Sequence, residues 1–155
     1  MYWRLPRARF LKGKGAGNRR ALRRLVLAGG TPGLIGYQGR RPVAWCAVGP
    51  RQSFPGLERS RVLAPVDQRP VWSITCLFVT KSARRAGVSV RMLREAARWA
   101  RGRGARIVEG YPVETATRQA DPFVWTGLAQ GFRRAGFREV LRRSPVRPIM
   151  RVGEK

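Results

Sequence analysis

The segment Val71–Val79 constrains the fold more than any other part of the sequence, because β-branched and aromatic side chains dominate it. This composition favours a β-strand, and a run that is apolar on both faces is typical of a strand inside a sheet. A basic loop follows at residues 81–87, and Val90, Leu93, Ala97 and Ala100 then recur at helical spacing. We therefore expect a central strand, a glycine-containing loop and an amphipathic helix.

The rest of the chain predicts further elements on both sides of this unit. A helix is expected after the N-cap residue Asn18, and a later one ends at Gly136. The predicted elements are a helix through Val26, a hairpin of Leu34–Gln38 and Pro42–Val48, a strand at Ala105–Val113, a helix at Phe123–Arg134, and strands at Phe137–Leu141 and Ile149–Val152. This order predicts a mixed sheet with helices packed on it, in the α/β (α+β) class. A length of 155 residues fits one domain, residues 1–155.

The charge of the chain is strongly positive: 33 Lys and Arg stand against 8 Asp and Glu, a net charge of +25. Such a field attracts polyanions, and nucleic acids, acidic substrates and phosphate-bearing cofactors all meet that description. An arginine-rich composition without a binding role explains the charge equally well. The arginines of the helix after residue 88 are open to the same two interpretations, a solvated face or a binding surface.

Two cysteines and the absence of histidine limit the chemistry further. Cys46 and Cys76 lie in apolar runs without Cys-x-x-Cys spacing, so no zinc or other metal site is expected. We interpret them as buried reduced thiols, which favours a reducing compartment and a cytoplasmic location. No apolar run is long enough for a membrane span, so no membrane partner is expected.

The loop between strand and helix carries the pattern Arg84-Arg-Ala-Gly87-Val-Ser89, which begins five residues after Val79. A loop that leads into a helix N-terminus can direct several backbone N–H groups at a phosphate, and glycine lets the backbone approach closely. The sequence therefore predicts a pyrophosphate site there.

These residues resemble the cofactor motif of the GNAT N-acetyltransferases, in which a strand ending in Val is followed by Arg or Gln, two residues, Gly, one residue, and Gly or Ala. Ser89 replaces the last small residue. The resemblance extends over nearly the entire chain, to one bacterial subgroup of the family, through Gly33–Tyr37, Pro42–Cys46, Glu109–Pro112, Gly136-Phe137 and Arg147–Arg151.

The resemblance implies a mostly antiparallel mixed sheet flanked by helices and transfer of an acetyl group from acetyl-coenzyme A to a primary amine. The residues expected to hold the cofactor are Leu77, Phe78 and Val79 through their main chain, the main-chain groups of Arg85, Ala86, Gly87, Val88 and Ser89, and the side chains of Arg84 and Arg85. The expected partners are acetyl-coenzyme A and an amine acceptor that the sequence does not identify. A homodimer and weak association with nucleic acid through the basic surface are further expectations.

The chain departs from the family pattern at two places. Phe132 occupies the position where many members carry a tyrosine that acts as the general acid. The start, Met1–Arg4, resembles the middle of the subgroup's domain, so we expect an N-terminal strand and helix to be missing.

Glu109 is the first candidate for the general base, because it lies on the strand expected beside Val71–Val79. The alternative is a salt bridge to an arginine. Tyr111 is the candidate acid, with an aromatic core role as its alternative.

The rival hypothesis from another class is a nucleic-acid- or ribosome-associated binding module on the same fold. It rests on the +25 charge and on the interleaved aromatic and basic residues Tyr2, Trp3, Arg4, Arg7, Arg9 and Phe10.

Overall fold

A computed structural model of the chain describes residues 1–115 and 125–153. In chain order its elements are α1 (Arg7–Lys12), α2 (Ala16–Leu27), β1 (Gly33–Gln38), β2 (Arg41–Pro50), α3 (Pro55–Glu58), β3 (Val71–Val79), α4 (Val88–Arg101), β4 (Ile107–Gly110), α5 (Ala129–Arg134), β5 (Arg138–Arg142) and β6 (Pro148–Gly153). Short 3-10 turns at Arg51–Ser53 and Lys81–Ala83 follow β2 and β3.

The six strands form one sheet in the order β1-β2-β3-β4-β6-β5. Only β3 and β4 run parallel, and the four other neighbouring pairs are antiparallel. The expectation of a mixed, mostly antiparallel sheet flanked by helices is confirmed. The parallel pair arises because β3 and β4 are joined through α4, the crossover that parallel strands require.

The two faces of the sheet carry separate apolar clusters. On one face α4 buries Met92, Leu93 and three alanines against the sheet. The other face carries the cluster of Phe54, Leu57, Leu63, Tyr111 and Ile149. Neighbouring residues of β6 belong to different clusters, Met150 to the first and Ile149 to the second, as the alternation of side chains along a strand requires.

A β-bulge interrupts the pairing of β2 with β3. Ala47 lies opposite Cys76 and Val48 lies opposite Ile74, so Thr75 has no partner residue in β2. A bulge of this kind changes which face the following side chains occupy. Thr75 and Cys76 consequently line the same cavity, on the face opposite α4.

Most predicted elements are present, with differences at their ends. Strand β3 has the predicted bounds, whereas β4 is shorter than the predicted Ala105–Val113, and Val113 pairs only with Leu128 in an isolated bridge. Helix α5 begins at Ala129 because Leu128 is extended; the start of the predicted helix, residues 123–124, lies outside the described residues.

The N-terminal region differs more from the sequence prediction. Asn18 is not an N-cap: α2 begins at Ala16, and the Asn18 side-chain amide donates to the carbonyl of Phe10 at 2.9 Å. This contact joins α2 to α1. Helix α1 is absent from the elements that the sequence predicts. Within the described ranges, no helix combines the length and the apolar character needed to cross a membrane.

Candidate functional site

The loop between β3 and α4 places an unusual backbone conformation at a helix N-terminus. Arg85 and Gly87 have φ values of 65° and 71°, both in the left-handed region, and Gly87 directly precedes α4. No side chain caps the start of this 14-residue helix. Because the first N–H groups of a helix have no intrahelical partner, they stand available to an anion, and the helix dipole favours negative charge there.

The predicted loop residues surround this helix N-terminus. Arg85, Ala86 and Gly87 are exposed, and Val88 and Ser89 are half-buried in the first turn of α4. The half-buried Arg84 donates from Nε to the Val79 carbonyl at 3.0 Å, which closes the loop over the end of β3. The fold therefore brings the whole motif together at one end of α4.

Among the described residues, no strand pairs with the β4-facing edge of β3 beyond Ile74, and this part of the strand is called its open edge. The pairing of the two strands ends at Ile74 with Gly110, while β3 continues to Val79. Main-chain groups on this open edge can pair with a ligand that runs along the strand. The Leu77 N–H already donates to the carbonyl of Trp125 at 2.8 Å, so a ligand that pairs with Leu77 has to exchange that bond.

Glu109 lies in β4, fully buried, and its carboxylate is shared between two arginines. Oε1 accepts from Arg51 Nη1 at 3.2 Å and from the Tyr111 hydroxyl at 2.7 Å. Oε2 accepts from Arg151 Nε at 2.7 Å. Both oxygens are engaged and neither reaches solvent, which is the salt-bridge arrangement that the sequence left open.

Tyr111 is buried beside Glu109, with 1% of its surface exposed. Its hydroxyl also bonds to Ser73 Oγ and accepts from Arg51 Nη1, both at 2.8 Å. Burial and the neighbouring Glu109 carboxylate raise the pKa of the Tyr111 phenol above its usual value. The phenol therefore stays protonated at neutral pH and donates to Glu109.

A cavity of about 630 Å³ lies on the face opposite α4, next to the bulge of β3. Thr75 and Cys76 form part of its wall, directly before the open stretch of β3. Burial raises the pKa of the Cys76 thiol, so Cys76 is a neutral wall residue at neutral pH. The cavity wall at Thr75 and Cys76, the open edge of β3 and the loop thus follow one another along β3 in the chain.

Phe132 is not among the residues that line the cavity. Its ring is fully buried, packs against Phe137 at a centroid distance of 5.0 Å, and fills the space beside Gly110. The residue at the position of the family's tyrosine is a core residue in this chain.

Sequence reasoning missed the cavity walls and the two buried arginines. Tyr2, Trp3 and Phe10 supported the rival hypothesis of nucleic-acid binding, yet their rings contact one another through Tyr2 and line the cavity. Arg151 gave a signal in the sequence, because a charged residue inside an apolar strand needs a buried partner. Among the described residues, no three His, Cys, Asp or Glu side chains are grouped so that they could hold a metal ion.

The sequence model of the acetyltransferase (GNAT) family matches residues 4–123, and the chain belongs to this family. It is an acetyltransferase. No curated protein matches the chain in sequence. The comparisons do not support the alternative of a nucleic-acid-binding module.

Solved structures of the same fold are similar to the chain at low sequence identity. A GNAT-family acetyltransferase from Streptococcus agalactiae is 11% identical with a TM-score of 0.57, over 94% of this chain and 78% of that one. The ribosomal-protein-alanine N-acetyltransferase of Brucella melitensis is 17% identical with a TM-score of 0.54, over 88% and 76%. The protein yncA of Salmonella typhimurium, solved with its cofactor acetyl-CoA, is 14% identical with a TM-score of 0.53, over 88% and 72%. At these identities the likeness establishes the fold.

Proposed function

We propose that the chain is an acetyl-coenzyme A-dependent N-acetyltransferase that passes the acetyl group to a primary amine. The supporting observation is the unit formed by β3, its loop and α4, in which Arg85 and Gly87 have left-handed backbones at an uncapped helix N-terminus. Successive N–H groups in such a turn form an anion-binding concavity. The structural neighbour yncA, solved with acetyl-CoA, supports the choice of cofactor.

The residues present fit the cofactor from its pyrophosphate to its thioester. The backbone of Arg85–Ser89 would hold the pyrophosphate, with the charges of Arg84 and Arg85 beside it. The open edge of β3 at Leu77–Val79 would pair with the pantetheine amides, which would direct the thioester toward Thr75 and Cys76 in the cavity wall. When bound, acetyl-coenzyme A supplies the acetyl group as a thioester.

The reaction asks the protein to place an uncharged amine and to stabilise charge on the carbonyl oxygen. The acceptor ammonium first loses a proton; the C–N bond then forms, the C–S bond breaks, and the thiolate of coenzyme A leaves and takes up a proton. Glu109 and Tyr111 remain the candidates that the sequence selects for proton transfer. Both side chains are buried and neither lines the cavity, so direct proton transfer between either of them and an amine in the cavity would require a rearrangement of the protein.

Calorimetric titration of the protein with acetyl-coenzyme A tests the cofactor site. The matched variants are Arg85→Glu and Arg101→Glu, which make the same charge change at opposite ends of α4, both at exposed side chains. We expect stoichiometric binding by the wild type, weakened at least about tenfold by Arg85→Glu, because a hydrogen bond to a charged group contributes about 1.5–3 kcal/mol.

Arg101→Glu is expected to bind with nearly wild-type affinity. Equal losses in both variants would mean that net charge alone attracts the cofactor. No binding by the folded wild type would contradict the proposal.

A further inference from the structure

Six aromatic rings line the cavity beside the β3 bulge. They come from separate parts of the chain: Tyr2, Trp3, Phe10, Trp45, Phe54 and Trp125. Its volume, about 630 Å³, is in the range of sites that bind small molecules. These rings offer an apolar ligand a large contact area.

The Tyr2 ring contacts three other rings of this wall. Its ring meets those of Trp3, Phe10 and Trp125 edge-on, at centroid distances of 4.9, 5.3 and 5.6 Å. Edge-to-face contacts between aromatic rings are favourable and fix the orientation of each ring. The wall is therefore an ordered aromatic surface, suited to another ring.

Two arginines line the cavity, and none of the described lining residues is acidic. Arg4 makes two hydrogen bonds, from Nη2 to the Pro32 carbonyl at 3.2 Å and from Nη1 to the Ser53 carbonyl at 3.4 Å, and its guanidinium lies over the Phe54 ring at 4.2 Å from the centroid. Arg4 therefore acts as a structural part of the wall.

Arg147 is used only in part. Its Nη1 donates to Thr126 Oγ1 at 2.8 Å and to the Tyr111 carbonyl at 3.3 Å, while Nε and Nη2 have no acceptor among the described residues. No carboxylate of the described ranges pairs with it, and burial lowers the pKa of its guanidinium. Arg147 is half-buried, and a partly desolvated cation without a counter-charge favours an anionic group of a ligand beside it.

We propose that the acceptor is a small amine that carries a carboxylate beside an aromatic body, the chemistry of an aromatic α-amino acid. Its carboxylate would bind Arg147, its ring would pack within the aromatic wall, and its amine would face Thr75 and Cys76. This inference rests on the proposed function, since the transferred acetyl group comes from acetyl-coenzyme A. The product would be the N-acetyl amino acid, with the carboxylate unchanged.

The test measures the binding of three probes in the absence of acetyl-coenzyme A. One probe has both proposed features, and each of the other two lacks one of them. L-phenylalanine has both features, phenethylamine lacks the carboxylate, and L-alanine lacks the ring. Tryptophan fluorescence reports binding, because Trp3, Trp45 and Trp125 line the cavity. Protection of Cys76 from alkylation, measured by mass spectrometry, shows that the probe binds in the cavity. The fully buried Cys46 is the internal control.

We expect L-phenylalanine to bind and to protect Cys76, and each of the other probes to bind at least about tenfold more weakly. Arg147→Met should abolish the preference for phenylalanine over phenethylamine, and Arg147→Lys should restore part of it. Arg138→Met, which removes an exposed charge from β5, should leave the preference intact. Folding of each variant is checked by circular dichroism.

Equal binding of phenylalanine and phenethylamine by the wild type would overturn the inference, as would absence of phenylalanine binding in protein that still binds acetyl-coenzyme A. Selective phenylalanine binding in protein that fails to bind acetyl-coenzyme A would instead contradict the proposed function and leave the cavity assignment standing.

Discussion

Glu109 on β4 lies directly opposite Arg151 on β6, and the two side chains form a buried ion pair in which Arg151 Nε donates to Glu109 Oε2 at 2.7 Å. The far end of Arg151 reaches Asp67, with Nη1 at 2.6 Å from Oδ2. Arg51 approaches Glu109 from the other side and also donates to the Leu63 carbonyl at 2.7 Å. Ion pairs and hydrogen bonds of Arg51 and Arg151 thus connect the long segment between β2 and β3 to Glu109 at the centre of the sheet.

We expect Glu109→Gln to destabilise the protein strongly. The substitution removes the buried carboxylate that two buried guanidinium groups share and leaves each with one partly exposed partner, Glu58 for Arg51 and Asp67 for Arg151. Breaking a buried ion pair from one side costs up to about 3–5 kcal/mol. Urea unfolding followed by tryptophan fluorescence measures the loss. Glu58→Gln is the matched control, because Glu58 pairs with the same Arg51 but its side chain is 50% exposed, and we expect a loss below about 1 kcal/mol.

The same variant decides the catalytic question for Glu109. Turnover is measured per folded molecule, at a temperature where the variant remains native, together with the affinity for acetyl-coenzyme A. A general base predicts reduced turnover at unchanged affinity. Turnover equal to that of the wild type would remove Glu109 from the candidates and leave it the structural role of holding Arg51 and Arg151.

Acid should weaken the folded state through Asp67 and Glu114. The Arg151 guanidinium holds the pKa of Asp67 well below its usual range, and that of Arg133 lowers the pKa of Glu114 to about 2. Because both folded-state pKa values lie below the unfolded values of about 4, their contribution to stability is full above about pH 5. It is lost progressively as the pH falls toward 2.

The measurement is the free energy of unfolding between pH 6 and pH 3, by urea titration at fixed ionic strength. Asp67→Asn and Glu114→Gln should each reduce the slope of stability against pH in this interval. Glu95→Gln, which removes an exposed carboxylate that pairs with Arg98 within α4, is the control for the loss of one acidic charge. A slope that all three variants share with the wild type would contradict this account.

How much the sequence predicts depends on the range over which the physical signal acts. Strand β3 and helix α4 are encoded by composition and periodicity within a few residues, and both were predicted. The loop motif is also local, because Gly87 and the start of α4 are neighbours in sequence. These features required no knowledge of tertiary contacts.

The parts that were missed depend on contacts between distant residues. The cavity brings Tyr2 to Trp125 at a centroid distance of 5.6 Å, and no sequence pattern joins these positions. The bulge at Thr75 also follows from the pairing with β2, since the amino-acid pattern of β3 alone gives no sign of an extra residue. Helix α5 begins late because Leu128 is held extended by its bridge to Val113, a tertiary contact that overrides helix propensity.

Gly110 is predicted to tolerate no side chain. A Cβ there would lie 2.1 Å from Cε1 of Phe132, whose ring is fixed by the surrounding core, so Gly110→Ala forces the packing of α5 to shift. Overpacking of this kind costs about 1–3 kcal/mol. Gly131→Ala is the control within α5 itself, because a Cβ at Gly131 meets nothing within 4 Å. Thermal unfolding should show a lower midpoint temperature for Gly110→Ala and a higher one for Gly131→Ala. The free energy of unfolding of Gly131→Ala should rise by about 0.5–1 kcal/mol, because alanine has the higher helix propensity.

Arg85 and Gly87 allow the backbone and the charge of the cofactor loop to be separated. Arg85 has a φ of 65°, a conformation that glycine adopts at lower cost, so Arg85→Gly keeps the loop geometry and removes only the guanidinium. We expect its stability to remain within about 1 kcal/mol of the wild type, because relief of the left-handed conformation offsets the greater freedom of the unfolded chain. Its affinity for acetyl-coenzyme A should fall, and the salt dependence of the affinity should become weaker.

Gly87→Ala has the opposite effect: it strains the backbone of the loop and leaves the loop's charge unchanged. The charge is untouched, but alanine at a φ of 71° costs about 1 kcal/mol or more even though the space around Gly87 is open. We therefore expect lower stability with an unchanged salt dependence of cofactor affinity. Denaturant titration and calorimetry at two salt concentrations measure both quantities. If Arg85→Gly binds the cofactor as tightly as the wild type at both concentrations, the Arg85 side chain makes no contact with the pyrophosphate, and the backbone N–H groups alone hold it.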